Sequence, residues 1–274
     1  MSKTNNQRGF TLIELSIVLV IIGLIVGGVL VGQDLIKAAE IRATVAQYEK
    51  FNASVNTFRT KFNGIPGDLS STSASAFGLF STGMDGTNGL GDGDGLVEGA
   101  AGAYVNLGEA LVFWRHLSDA QLVEGNFGGQ MATGGAVHTT ITAAMTDYFP
   151  GGKIGRGNYF SANITSGLNY YLLMGQTQVV AAGTTTYANQ MTPIETFNID
   201  TKIDDGAPNT GIATARGTTA PFSVISSTQA TWAASPTTEC MTSGGAATSA
   251  TTTYNRSAST GGNTPACGLR LRFN

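Results

Sequence analysis

Glu14 is the one formal charge in the 23 residues from Phe10 to Gly32. A carboxylate at that depth in hydrocarbon costs about 2.5–3.5 kcal/mol on insertion scales, so it calls for a partner. Phe10 lies four residues earlier, on the same helical face. A second set of oxygen ligands stands between 85 and 98: Asp85, Asn88, Asp92, Asp94 and Glu98, separated largely by glycine. Hard oxygens on a flexible backbone suit calcium. The spacing is not that of an EF-hand, since Leu90 falls at the first ligand position and Ala101 where a bidentate Glu belongs. Asp and Asn beside Gly are also ordinary turn residues, and this second reading stands beside the first. A smaller acidic cluster, Asp200, Asp204 and Asp205, lies in IDTKIDDG. The two histidines, His116 and His138, sit in no recognisable catalytic constellation, and no Walker A, dinucleotide fingerprint, HExxH or nucleophile elbow occurs.

The element that must position Glu14 is a helix. About 20 apolar residues span a bilayer, and Phe10–Gly32 meets that length. Lys3 and Arg8 precede the run and no acid does, which sets the N-terminus on the cytoplasmic side. An ordinary secretory signal fits poorly, because its apolar region rarely holds an acid and no Ala-x-Ala-like site follows.

Gly9-Phe10-Thr11-Leu12-Ile13-Glu14, after a short basic leader and before an apolar run, resembles the class III signal of type IV pilins and type II secretion pseudopilins. The resemblance is clear over residues 1 to about 68. It implies that prepilin peptidase cuts between Gly9 and Phe10, removing a 1–9 leader, and methylates Phe10. It further implies that Glu14 pairs with the Phe10 amine of a neighbouring subunit during assembly. Implied partners are the peptidase, other copies or related pilins in a filament, an inner-membrane assembly platform and the membrane itself.

Beyond the membrane the helical pattern continues. Ile41, Val45, Tyr48, Val55, Phe58 and Phe62 recur at three-, four- and seven-residue steps, one apolar stripe. Asn63-Gly64-Ile65-Pro66-Gly67 is expected to stop the helix. One helix over 10–62 would be about 80 Å long, with 10–32 in the membrane or filament core and 33–62 as its amphipathic continuation. Gly23, Gly27, Gly28 and Gly32 give small-xxx-small spacings that permit close helix contact, or are ordinary glycines of a membrane helix.

Residues 63–274 form the expected head, large enough to bury a core. Only 12% of the chain is charged, and Ser, Thr, Gly and Ala dominate 205–268. That composition predicts short strands and long loops. A helix is expected at Leu107–Ser118, with Trp114 and His116 read as core packing. Strands are expected at Asn158–Ile164, Leu168–Leu173, Gln178–Ala182, Glu195–Thr201 and Leu269–Phe273, in an antiparallel sheet. The fold class is therefore α+β, a long N-terminal helix packed on a C-terminal sheet. Cys240 and Cys267 face an oxidising compartment in this topology, where thiols pair. The resemblance implies the same, a disulfide-closed C-terminal region over 240–267.

Removing Lys3 and Arg8 with the leader leaves 13 basic and 18 acidic side chains, net −5. That balance argues against generic nucleic-acid binding. The expected function is structural: a subunit of a type IV pilus-like filament, anchored once in the bacterial inner membrane and then carried into a periplasmic or extracellular fibre. Two alternatives stay open. One is a pseudopilin of a type II secretion system, though Glu14 argues against its tip subunit. The other is a membrane-anchored adhesin or DNA-uptake protein that shares only the signal. No catalysis is expected, and no cofactor beyond structural calcium.

Overall fold

Leu, Ile and Val fill most of positions 12–31, and no proline occurs before Pro66, so nothing in the sequence breaks a helix there. In the computed structural model α1 runs without interruption from Leu12 to Phe62. The structure describes residues 11–81, 91–97, 108–128, 145–165, 167–180, 184–188, 190–217, 240–241, 253–257 and 262–273. The chain divides into two units, Met1–Glu40 and Ile41–Asn274.

In the first unit every large apolar side chain from Leu12 to Ile36 is at least half exposed. This part of α1 has no protein core around it, and by length and composition it can cross a membrane. In the second unit α1 buries Ile41, Thr44, Tyr48, Phe51, Val55, Phe58 and Phe62. These positions alternate three and four apart, so one stripe faces the core. Val45, expected in the stripe, is only half-buried, and Phe51 takes the central place. The helix ends as expected, with Asn63 left-handed at φ 54°.

Short helices follow: α2 at Ser71–Ala76 and α3 at Glu109–Asp119. The sheet comprises β1 (Asn158–Thr165), β2 (Leu168–Val180), β3 (Thr184–Ala188), β4 (Ala213–Gly217) and β5 (Cys267–Arg272). Helix α4, Pro193–Ile203, stands between β3 and β4. The order is β1-β2-β5-β4, with β3 on the far half of β2. All these neighbours are antiparallel. Tyr171 on β2 centres the core, its ring 4.3 Å from Phe273, 5.8 Å from Trp114 and 6.1 Å from Phe51. Phe51 in turn sits 4.8 Å from Trp114 and 5.2 Å from Phe160. An aromatic cluster thus joins α1, α3 and the sheet into an α+β head.

Several boundaries differ from the sequence reading. Glu195–Thr201, expected as a strand, lies inside α4. Thr192 accepts from the Glu195 N–H and Glu195 reaches back to the Thr192 N–H, a capping box with Pro193 in the first turn. Those caps favour a helix and outweigh the β-branched residues. Gln178–Ala182 is no separate strand: residues 178–180 continue β2, and 181–182 lie outside the described residues. The first expected helix of the head starts at Glu109; Leu107 lies outside the described residues. Strands β3 and β4 carry no alternating apolar pattern and were not expected.

Candidate functional site

The start of α1 is built by Thr11, the residue before the first helical turn. Its hydroxyl receives the Glu14 N–H at 3.4 Å, and the Glu14 carboxylate receives the Thr11 N–H at 2.7 Å. The two together make a capping box. The Thr11 hydroxyl also donates to Glu14 Oε2 at 2.7 Å. Both bonds fall on the same oxygen. Among the described residues no basic group pairs with Glu14. Gly9 and Phe10, the expected processing pair, lie outside the described residues. Thr11 was not singled out from the sequence, although T-x-x-E before an apolar run is a capping signal.

Of the expected calcium ligands, Asp92 and Asp94 are described, and Asp85, Asn88 and Glu98 lie outside the described residues. The fold adds a residue the sequence did not mark, Asp68, just after the end of α1. Carboxylate oxygens of Asp68, Asp92 and Asp94 lie within 4.8 Å of one another. Asp68 is 2% exposed and receives the N–H groups of Gly93 at 2.8 Å and Gly95 at 2.9 Å. Burial pushes its carboxyl up to about 6; the two N–H bonds oppose that shift, and Asp94 and Asp92 add to it. Asn169 on β2 holds the same loop, receiving the Val97 N–H and donating to the Gly95 carbonyl. Asp92 and Asp94 also cap their own turns, each receiving the N–H two residues on. Turn chemistry is thus present in this loop, and the three carboxylates lie near enough to one another to share one ion.

The second cluster is more committed to the fold. Asp200 is fully buried and receives the Tyr254 hydroxyl at 2.6 Å and the Gly206 N–H at 3.2 Å. Burial pushes it up to about 6, with Asp205 and Asp204 adding to the rise. Asp205 receives Ala207 N–H and Thr210 hydroxyl, and Asp204 receives Ile212 N–H. These carboxylates close the turn from α4 to β4.

Cys240 and Cys267 form a disulfide across 27 residues, and both are fully buried. The Met191 carbonyl receives the Cys267 N–H at 2.9 Å, and the Cys240 carbonyl receives the Asn255 N–H at 3.0 Å. The bridge therefore fastens the 253–257 segment and the approach to α4 onto β5. Closing such a loop contributes about 3–4 kcal/mol in the chain-entropy account.

His116 on α3 serves the fold. Its Nδ1 receives the Gly67 N–H at 3.0 Å, which fixes Nε2 as the donor to the Phe80 carbonyl at 2.8 Å. Burial, the largest influence, lowers its pKa to about 4. A Cβ at Gly67 would meet the Glu109 carbonyl, and its φ of 90° is left-handed; only glycine brings this N–H to the imidazole. The role expected for His116, core packing, gains a specific hydrogen-bonding content.

Residues 4–30 match the family model of the prokaryotic N-terminal methylation motif. That motif is the prepilin-type signal of type IV pilins and pseudopilins. The matched stretch contains Gly9, Phe10, Thr11 and Glu14. Comparisons with curated proteins and with solved structures find no match.

Proposed function

We propose that this chain, which carries a prepilin-type methylation signal, is a structural subunit of a type IV pilus-like filament. The match over residues 4–30 carries the reading. Prepilin peptidase removes residues 1–9 and methylates Phe10. Membrane anchoring by α1 follows from the apolar helix and the signal together. On assembly α1 enters the filament and the disulfide-bonded head forms its surface. Glu14 meets the Phe10 amine of the neighbouring subunit. Thr11 supports this step, because it orients the carboxylate, with which no cation among the described residues pairs. A charge with local hydrogen bonds and no counterion is tolerated at a membrane interface and gains most from an incoming amine.

Intact mass and N-terminal sequencing of protein from membranes, with and without the peptidase, test the reading. Loss of residues 1–9 plus one methyl group on Phe10 supports it. An uncut chain, or a cut near Gly32, overturns it. Abundance in sheared surface fractions then separates a major pilin from a minor subunit, an adhesin or a secretion pseudopilin confined to the periplasm.

The proposal includes a calcium ion at Asp68, Asp92 and Asp94. It is supported by the convergence of three carboxylates, one of them buried. Calcium should raise the melting temperature of the wild-type protein and not of the Asp92→Ala/Asp94→Ala variant. Equal shifts in both would remove calcium from the reading.

A further inference from the structure

The outer face of the sheet carries two guanidinium groups that none of the preceding chemistry uses. Tyr171, Leu271 and Ala213 point into the core and are fully buried. Side chains alternate along a strand, so Tyr170, Arg270, Arg272 and Thr214 share the opposite face. The register sets Tyr170 beside Arg272 and Thr214 beside Arg270. This face is covered at Ser161, Leu172 and Met174, each at most 3% exposed. It is open at the four residues named, all half-buried.

Arg270 is the centre of the patch. Its guanidinium carbon lies 4.6 Å from the centroid of the Tyr170 ring, and its Nε donates to the Thr214 hydroxyl at 3.2 Å. Burial lowers its pKa, and Tyr170 opposes that shift. A desolvated charge calls for an anion beside it. Among the described residues no carboxylate pairs with Arg270 or Arg272. Asp204, which receives the N–H of Ile212 next to Arg272, pairs with neither. The C-terminal sequence has few acids to offer. Residues 206–274 hold Arg216, Arg256, Arg270 and Arg272 and a single acidic side chain, Glu239. We infer that Arg270 and Arg272 bind an oxyanion of the phosphate type. Their backbones stand about 7 Å apart, two residues along one strand, so both planar forks can close on one group. The stack on Tyr170 and the bond to Thr214 hold the Arg270 fork in place, so less side-chain freedom is lost on binding. A phosphate group offers three acceptor oxygens and a charge of about −1.5 to −2, which matches two cations. A carboxylate offers two oxygens and one charge. The site does not depend on the filament reading.

Titration calorimetry on the full chain in non-ionic detergent tests the site. Inorganic phosphate is added at pH about 7.5, above its second ionisation, with chloride at equal ionic strength as the control. Phosphate should bind saturably and chloride should not. Arg272→Gln should weaken binding about tenfold. Arg270→Lys keeps the charge and loses the fork, and should weaken it about threefold or more. Melting temperatures in chloride alone show that each variant is folded. Dihexanoyl phosphatidic acid in place of phosphate separates the sources of the group. Tighter binding than free phosphate assigns the site to a lipid headgroup, and equal or weaker binding assigns it to the free ion. No saturable binding of either compound, or binding that Arg272→Gln leaves within about twofold, overturns the inference.

Discussion

Thr11-Leu-Ile-Glu14 and Thr192-Pro-Ile-Glu195 open two helices with the same pair of reciprocal hydrogen bonds. Their surroundings are opposite. Thr192 and Glu195 are buried, and Glu195 holds the Arg156 guanidinium at 2.8 Å. Thr11 and Glu14 are exposed, and no described cation reaches them. In the head the box is complete: cap, counterion and burial fix the start of α4 against the sheet. At the start of α1 the same box secures the first turn, and among the described residues no cation answers its charge. One local motif thus meets a cation in one place and none among the described residues in the other, and in the proposed filament it is the second that serves assembly.

The largest expected effect tests that division. Glu14→Gln keeps shape and removes charge. Filament yield should fall about tenfold or more, as expected when a buried ion pair loses one partner. The melting temperature of the detergent-solubilised chain should not move. Glu195→Gln should do the reverse. It removes the charge that holds Arg156 while the amide oxygen still caps the Thr192 N–H, lowering stability by about 2 kcal/mol. Filament yield per folded molecule should be unchanged. If both variants lower both quantities, the two boxes do not differ in role.

Acid probes the second box inside its core. His116 is one responding group, its pKa about 4 when folded against 6.5 when free. The unfolded chain binds the extra proton first, so the His116 contribution, about 3 kcal/mol, is lost as pH falls from about 6.5 to 4. Glu195 adds a lower limb. Burial would raise it, but its bonds to Arg156 and Thr192 win and hold it below the usual carboxylate range. Its contribution is present above about 4.5 and lost as pH falls through its folded value. Asp68 and Asp200, raised to about 6, act in the opposite sense. Their folded forms keep the proton longer, so they favour the fold at low pH and lose that contribution as pH rises from about 3.8 through 6. His116→Gln should remove the limb between 6.5 and 4, and Glu195→Gln only the limb below it. Chemical denaturation at several pH values would show whether the two limbs separate.

Much of the fold was legible because its signals are local and periodic. Phe10–Gly32 declared itself by length, and the 41–62 stripe by its spacing. The helix stop at Asn63 and the strands around Phe160, Leu172 and Leu271 were also readable. What stayed hidden depends on contacts across the chain. Phe51 was not among the expected stripe, and its place at the centre shows only in its contacts with Trp114 and Tyr171. Asp68 sits 24 residues from Asp92, and nothing in the sequence between them brings the pair together. In α4 the signal was present and misread: Thr196 and Ile199 suggested a strand, although Thr192, Pro193 and Glu195 mark a helix start. At the N-terminal site Glu14 was legible through the motif, whereas the role of Thr11 became visible only with the hydrogen bonds.

The smallest expected effect is also the most discriminating between the two boxes. Thr192→Ala removes the hydroxyl that receives the Glu195 N–H and leaves Arg156–Glu195 in place. A lost N-cap costs about 1 kcal/mol, readable as a shift in the denaturation midpoint without a change in slope. Thr11→Ala removes the equivalent hydroxyl from a helix whose first unit has no protein core. The midpoint of the head should not respond, because the cooperative transition reports the core at Ile41–Asn274 and not the first turn of α1. Filament yield should respond, and by less than with Glu14→Gln, because Thr11 orients the carboxylate while Glu14 supplies the charge. Should Thr11→Ala equal Glu14→Gln in assembly, the hydroxyl would be a direct contact to the neighbouring subunit, and the first box would be an interface rather than a cap that positions one.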